Sequence, residues 1–149
     1  MPSILDRFTD RVRKILVNAR YEAVRLHREY VGTEHILLAL IREENSVAVA
    51  ALLNLNVNLE RIEGRIRETL LGGRASPILS FDIPYTTRTR VALELASDEA
   101  RDLGCAHIGA EHILLGLMRD TGGLASQILS DAGATLEGVR AEVRRLSDE

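Results

Sequence analysis

A glutamate–histidine pair that occurs twice carries the most chemically useful side chains of the sequence. Glu34 precedes His35, and Glu111 precedes His112, in nearly identical apolar surroundings. A carboxylate beside an imidazole can act as a general base, and a carboxylate alone can accept two parallel hydrogen bonds from a guanidinium. Neither pair has the second histidine of an H-E-x-x-H motif, so the sequence predicts no metal site and structural, hydrogen-bonding histidines.

The two pairs belong to an internal repeat with an offset of 77 residues. The segment VGTEHILLALIRE (31–43) aligns with IGAEHILLGLMRD (108–120), and the same offset pairs Thr9 with Thr86 without a gap. Two long units are too few for a solenoid array. The sequence therefore predicts a duplicated domain with pseudo-twofold symmetry.

The elements that position the first pair are four predicted helices. Thr9 can cap the first of them, because apolar residues follow it at three- and four-residue steps. Thr33 is predicted to cap the second, EHILLALIRE, whose nearly continuous apolar run indicates burial on most sides. Ser46 begins the third helix and Asn58 caps the fourth, which Gly72 and the glycine after it are expected to stop.

The second repeat is predicted to have the same four helices. The first runs from Thr86 to about residue 103, the second covers 110–119, the third about 123–131, and Thr135 caps the last. Gly104 and Gly133 supply helix ends because glycine tolerates a left-handed backbone.

The segment between the repeats has no helical period. GGRASPILSFDIPY (72–85) contains two prolines and is expected to be an extended connection. The predicted organisation is one domain with a first repeat at about 7–72, a linker at about 73–85 and a second repeat at about 86–147. The predicted fold class is all-α, with the two four-helix units packed together because each alone is marginal in size.

Composition excludes several classes of function. The chain has 149 residues, 46% of them hydrophobic, and no apolar run long enough to span a bilayer. A net charge of -3 and five aromatic residues argue against nucleic-acid binding. A single cysteine, Cys105, agrees with a reducing compartment, and the amino terminus lacks the layout of a secretory signal, so a cytoplasmic location is expected.

The duplicated block resembles a known family. The pattern G-[TA]-E-H-I-L-L-[AG]-L, preceded by FTDRVRKIL (8–16) and its echo YTTRTRVAL (85–93), is similar to the double repeat of the Clp amino-terminal domain, especially that of ClpC-type unfoldases. The resemblance covers about residues 7–147. It implies an all-α module of eight helices that sits on a hexameric AAA+ ring, receives adaptor proteins and substrates, and feeds the ClpP protease.

The same resemblance implies one phosphoarginine pocket in each repeat. Carried over residue by residue, the first pocket would use Glu34 with Thr9 and Arg7, and the second would use Glu111 with Thr86. A carboxylate suits the guanidinium of such a ligand, while hydroxyls, helix-start N–H groups and an arginine suit its phosphate.

The second copy departs from the first at two of these positions. Pro84 stands where Arg7 stands in the first repeat, and Ala110 stands in place of Thr33. The first pocket is therefore expected to bind more strongly. Arg11 and its copy Arg88 are expected on solvated helix faces.

Three functions remain open at this point. The first is a protein-binding module for adaptors and substrates, monomeric in isolation, with no cofactor and no enzyme activity. The second is a free-standing relative that regulates ClpC assembly or sequesters substrates, because the sequence has no G-x-x-x-x-G-K-[ST] loop for ATP. The third is a small hydrolase using a glutamate–histidine pair as its base, although no G-x-S-x-G elbow accompanies it.

Overall fold

The computed structural model describes residues 4–71 and 83–147, and every regular element in those ranges is helical. The helices are α1 (Ile4–Arg7), α2 (Asp10–Arg25), α3 (Thr33–Ile41), α4 (Val47–Asn54), α5 (Leu59–Leu71), α6 (Thr87–Asp102), α7 (Ala110–Arg119), α8 (Leu124–Asp131) and α9 (Leu136–Ser147). The all-α prediction is confirmed. Helices α2–α5 and α6–α9 are the two predicted sets of four, and the short α1 is an addition that the sequence did not indicate. The repeat boundaries remain a prediction, because residues 72–82, most of the proposed linker with its stop glycines, lie outside the described residues.

Short polar side chains begin most of the helices, as the sequence predicts. Each accepts a hydrogen bond from a backbone N–H three residues ahead, which satisfies one of the free donors of the first turn. The capping oxygens and their distances are Thr9 Oγ1 (3.2 Å), Ser46 Oγ (3.1 Å), Asn58 Oδ1 (3.1 Å), Thr86 Oγ1 (3.0 Å) and Thr135 Oγ1 (3.1 Å). The prediction that Thr33 caps α3 is wrong, because the capping residue is Gly32 and Thr33 is already helical.

Helix ends also repeat between the two halves. Gly104 and Gly133 have positive φ angles of 76° and 94°, and the residues 77 positions before them, His27 and Asn56, have φ angles of 56° and 61°. The backbone thus turns left-handed after the first and third helices of both repeats. In the second repeat glycine adopts that conformation without strain, whereas the first repeat has a histidine and an asparagine at these positions.

Helices α3 and α7 form the centre of one core shared by both repeats. Each contacts helices of its own repeat and of the other, and most of their side chains are buried. The core cluster joins residues of both, including Ile36 and Leu40 from α3 with Ile113 and Leu117 from α7. An apolar run without a polar face, which is what the sequence has at both motifs, is typical of such a central helix.

Gly116 allows α7 to approach α6 very closely. A Cβ atom at Gly116 would lie 2.3 Å from the carbonyl oxygen of Ala92 and 2.9 Å from the Cβ of Ala96. The equivalent residue of α3 is Ala39. Close contact of α6 with α7 therefore depends on a glycine that the first repeat does not have.

Candidate binding sites at the repeat junctions

The start of α2 lies against the start of α7, which belongs to the other repeat. Phe8 and Ile108 form an isolated parallel bridge, in which the N–H of Thr9 donates to the carbonyl of Ile108 at 3.1 Å. The N–H of Ile108 donates to the carbonyl of Arg7 at 2.7 Å. This bridge brings Thr9 and Arg7 beside the segment that leads into Glu111.

The pseudo-symmetric bridge joins the start of α6 to the start of α3. Val31 pairs with Tyr85, the N–H of Val31 donates to the carbonyl of Pro84 at 2.9 Å, and the N–H of Thr86 donates to the carbonyl of Val31 at 3.0 Å. Proline is tolerated at residue 84 because the bridge uses only its carbonyl. Thr86 therefore lies beside the segment that leads into Glu34.

The sequence-based grouping of pocket residues is wrong in this respect. It placed Thr9 and Arg7 with Glu34, but α2 has 16 residues and is about 24 Å long. Thr9 and Arg7 precede the amino end of α2, whereas Glu34 lies near its carboxyl end. The charge of Glu34 interacts with Arg28, which follows the carboxyl end of α2. Each candidate site is consequently a composite of both repeats.

Three residues of the motif G-x-E-H explain the local geometry at Glu34. The carboxylate folds back over the start of α3 and accepts a hydrogen bond from its own backbone N–H. A Cβ atom at Gly32 would lie 1.7 Å from Glu34 Oε1, so glycine leaves the space that the carboxylate fills. The Nδ1 atom of His35 accepts from the N–H of Gly32 at 2.9 Å and completes the cap.

The second motif has the same geometry. A Cβ atom at Gly109 would lie 1.7 Å from Glu111 Oε1, and His112 Nδ1 accepts from the N–H of Gly109 at 2.9 Å. Burial raises the pKa of Glu34 and of Glu111 above the usual glutamate value. A cation placed beside either carboxylate would lower that pKa again, because an opposite charge favours the ionised form.

Both motif histidines are neutral structural groups. Burial lowers the pKa of His35 to about 4, and burial also lowers the pKa of His112. The separation of 3.5 Å between His35 Nδ1 and Glu34 Oε1 is therefore a contact of two acceptors rather than an ion pair. Nδ1 of His35 is committed to the backbone N–H of Gly32 and its Nε2 is buried, so His35 does not present a general base to a substrate.

Arginines give the two sites different charges. Arg11 interacts electrostatically with Glu111, and Arg7 interacts with His112 beside it. Arg7 is held by bonds from its guanidinium to the carbonyl of Ala106, at 3.3 Å, and to Ser97 Oγ. Arg11 is exposed, as the sequence predicts, but the sequence did not indicate its electrostatic interaction with Glu111. Arg11 follows Thr9 by two residues, but this spacing points to Glu111 only once the pairing of Phe8 with Ile108 of the other repeat is known.

Thr33 and Thr86 have hydroxyl groups that are already bonded. Thr33 is buried, with 4% of its surface exposed, and its Oγ1 accepts from the N–H of Ala125 at 3.3 Å, so this hydroxyl does not lie on the surface that a phosphate would contact. Thr86 Oγ1 accepts from the N–H of Thr89 and donates to Thr89 Oγ1 at 2.8 Å. Among the described residues, no group of three or more histidine, cysteine, aspartate or glutamate side chains is placed to hold a metal.

The crossed helical repeats and their paired motifs define a class of duplicated all-α domain. The Clp repeat (R) N-terminal domain matches residues 7–76 and 84–149. The chain belongs to this family.

Individual relatives agree with that assignment. The chain is 43% identical over 140 residues to chaperone protein ClpB of Oceanobacillus iheyensis and, over the same length, to the negative regulator of genetic competence ClpC/MecB of Bacillus subtilis, covering 94% of this chain and 17% of each relative. The chain thus spans about a sixth of their length. A ClpV N-domain in complex with a VipB peptide has the same fold, with a TM-score of 0.75 and 16% identity over 91% of this chain and 84% of that chain. No helix in residues 4–71 or 83–147 is long and apolar enough to cross a membrane.

Proposed function

We propose that this chain is a protein-binding module of a Clp quality-control system, which receives adaptors and substrates for an AAA+ unfoldase and a ClpP-type protease. Membership of the Clp N-terminal family supports this role, as does the peptide bound to a ClpV N-domain of the same fold. The ring and the protease are proposed partners. We further propose that the domain is monomeric in isolation and works in the cytoplasm.

The proposed mark on its substrates is phosphoarginine, bound at the two composite sites. The observation that carries this proposal is the backbone pairing between the repeats, which brings Thr9 to the segment that leads into Glu111 and Thr86 to the segment that leads into Glu34. Arg7 and Arg11 act electrostatically on the Glu111–His112 pair, and Arg28 acts on Glu34. The carboxylate would take the guanidinium of the ligand. As the carboxylate turns outward, it releases its own backbone N–H, which can then donate to the phosphate.

The site at Glu111 is proposed to be the stronger of the two. Arg7 and Arg11 both belong to it, whereas the only arginine whose charge is linked to Glu34 among the described residues is Arg28. Two guanidinium groups balance a doubly charged phosphate better than one. This order is the reverse of the one that the sequence suggested.

Calorimetric titration with free phosphoarginine tests the proposal. The expected result is binding to the wild type, a large loss in Glu111→Ala and a smaller loss in Glu34→Ala. A charge-assisted hydrogen bond contributes about 1.5 to 3 kcal/mol, so the larger loss corresponds to about ten- to a hundredfold in affinity. Absence of binding at millimolar ligand would refute the proposed sites, and arginine without phosphate is the matched control ligand.

Arg7 provides a test of the crossed arrangement itself. In a double-mutant cycle, Arg7→Gln should be coupled to Glu111→Ala and additive with Glu34→Ala. The reverse pattern would mean that the pockets lie within single repeats in solution. Both variants should keep the helical circular dichroism of the wild type, because Arg7 and Glu111 lie outside the apolar core.

We propose no catalytic role for the glutamate–histidine pairs. A hydrolase base needs a free imidazole nitrogen directed at a substrate, whereas His35 and His112 each use Nδ1 to cap a helix. Incubation with ester and peptide substrates should therefore give no turnover above that of a Glu34→Gln, Glu111→Gln double variant.

A further inference from the structure

A surface groove lies between α3, α4 and α5 of the first repeat and has a volume of about 470 Å³. Ile41 and Val49 contribute its most buried apolar side chains, and Leu59 is partly buried beside them. Leu53 lines the same groove with 54% of its surface exposed. The α3–α5 groove therefore offers apolar area that a second molecule could remove from water.

Carboxylates dominate the charged groups of the groove. Glu44, Glu60 and Glu63 line it together with one cation, Arg42. Arg42 already bonds to Glu63 at 3.2 Å and to Glu22 at 2.9 Å. Within the described part of the chain, Glu44 and Glu60 have no ion-pair partner, so the groove has negative charge that its own residues do not balance.

The second repeat shows which apolar residues of the groove the fold itself does not require. In the second repeat, Ser130 occupies the position of Leu53, and Ser126 occupies the position of Val49. Ser126 is buried and donates to the carbonyl of Met118 at 3.1 Å. The fold therefore accepts serine at both positions, and an exposed leucine is not required to build this helix arrangement.

The charges of the groove also differ between the repeats. Thr121 stands in the position of Glu44, and Arg140 stands in the position of Glu63. The first repeat has three carboxylates and one guanidinium at these places, whereas the second has one carboxylate, Glu137, and two guanidiniums. Both the apolar and the acidic character thus belong to the first repeat alone.

We infer that the α3–α5 groove is a docking site for an amphipathic helix of a partner protein, in which aliphatic side chains are flanked by lysine or arginine. Apolar side chains three and four residues apart would cover Leu53 and the exposed part of Leu59, and the basic residues would pair with Glu44 and Glu60. This surface is additional to the composite sites and does not involve Glu34 or Glu111.

The probe is a synthetic helical peptide that has leucines at three- and four-residue spacing and lysines beside them. Its control is the same peptide with every lysine replaced by glutamate. We expect the lysine peptide to bind, to shift the methyl resonances of Leu53 and Val49, and to bind at least tenfold more tightly than the glutamate peptide at low salt. Equal binding of the two peptides, or shifts confined to another surface, would overturn the inference.

Two leucine variants test the apolar contribution. Leu53→Ser should weaken binding about tenfold, because a leucine that becomes buried on binding contributes on that scale. Leu71→Ser is the matched control, because Leu71 is 80% exposed and lies outside the groove. Equal losses in the two variants would contradict the proposed site. Phosphoarginine affinity should be unchanged in Leu53→Ser, so failure of the groove and failure of the composite sites give different results.

Discussion

Thr33 in the first repeat caps a helix of the second repeat through Ala125. The hydroxyl of Thr33 accepts from the N–H of Ala125, which lies in the first turn of α8, at 3.3 Å. The N-cap residue of α8 is Gly123, which has no side chain to cap the helix, whereas its counterpart Ser46 caps α4 directly. The threonine thus replaces, from the other repeat, a cap that the second repeat lacks.

Thr33→Val should therefore destabilise the protein by about 1 kcal/mol, because it removes the hydroxyl while keeping the side-chain volume. The change should be measured by urea unfolding. Exchange of the Ala125 amide hydrogen should become faster in Thr33→Val and remain close to wild type in Thr33→Ser, which keeps the hydroxyl. Unchanged exchange in Thr33→Val would show that the cap is absent in solution.

The sequence was sufficient to predict helices α2–α9 but not the way in which they are arranged. Local signals such as Thr9, Ser46 and Thr135 predicted helix starts because the capping oxygen and its donor lie within one turn. Which repeat supplies the neighbour of each glutamate depends on contacts such as Phe8 with Ile108, about 100 residues apart. A repeat that pairs within itself and one that pairs with its copy have the same sequence pattern.

Gly32 shows a second limit of local reasoning. Threonine is a common capping residue, so the sequence favours Thr33 over the glycine before it. The structure uses Gly32 because the Glu34 carboxylate fills the space of its missing side chain. That requirement comes from the three-dimensional position of Glu34. The copy at Gly109 and Glu111 was the only available sequence signal for it.

His35 should make folding stability depend on pH. Its pKa is about 4 in the folded protein against an ordinary value of 6.5, so the unfolded chain binds more protons between these values. The contribution is fully present above pH 6.5 and is lost as pH falls towards 4, with a full size of about 3 kcal/mol. Urea unfolding of wild type and His35→Gln across this range measures it.

The His35→Gln variant provides the control for the other titrating groups. Its amide side chain can cap the N–H of Gly32 without binding a proton, so the wild type should lose stability relative to this variant as the solution is acidified. A constant difference between the two proteins would mean that the imidazole is not desolvated. His112 is present in both proteins and cancels from the comparison.

Glu99 is expected to be more important for stability than its counterpart Glu22. Glu99 is 2% exposed and accepts hydrogen bonds from Arg140, while Arg119 lies 3.5 Å away. Glu99→Gln leaves these cations without their buried partner, at a cost of about 3 kcal/mol. Glu22→Gln affects a more exposed pair with Arg42 and should cost less than about 1 kcal/mol. Equal losses of unfolding free energy in Glu99→Gln and Glu22→Gln, measured with denaturant, would show that the deeper burial of Glu99 does not make its ion pairs more important.

The same substitution at two glycines should have opposite effects on stability. An added Cβ atom meets nothing within 4 Å at Gly64 or at Gly104, so packing does not decide either result. Gly64 lies inside α5, and alanine there should stabilise the helix by about 0.5 to 1 kcal/mol. The equivalent residue of the second repeat is already alanine, Ala141. Gly104 has a φ angle of 76°, where an L side chain crowds the backbone, so Gly104→Ala should destabilise by about 1 kcal/mol. Urea unfolding of both variants measures the signs, and a neutral Gly104→Ala would mean that the end of α6 relaxes out of the left-handed conformation.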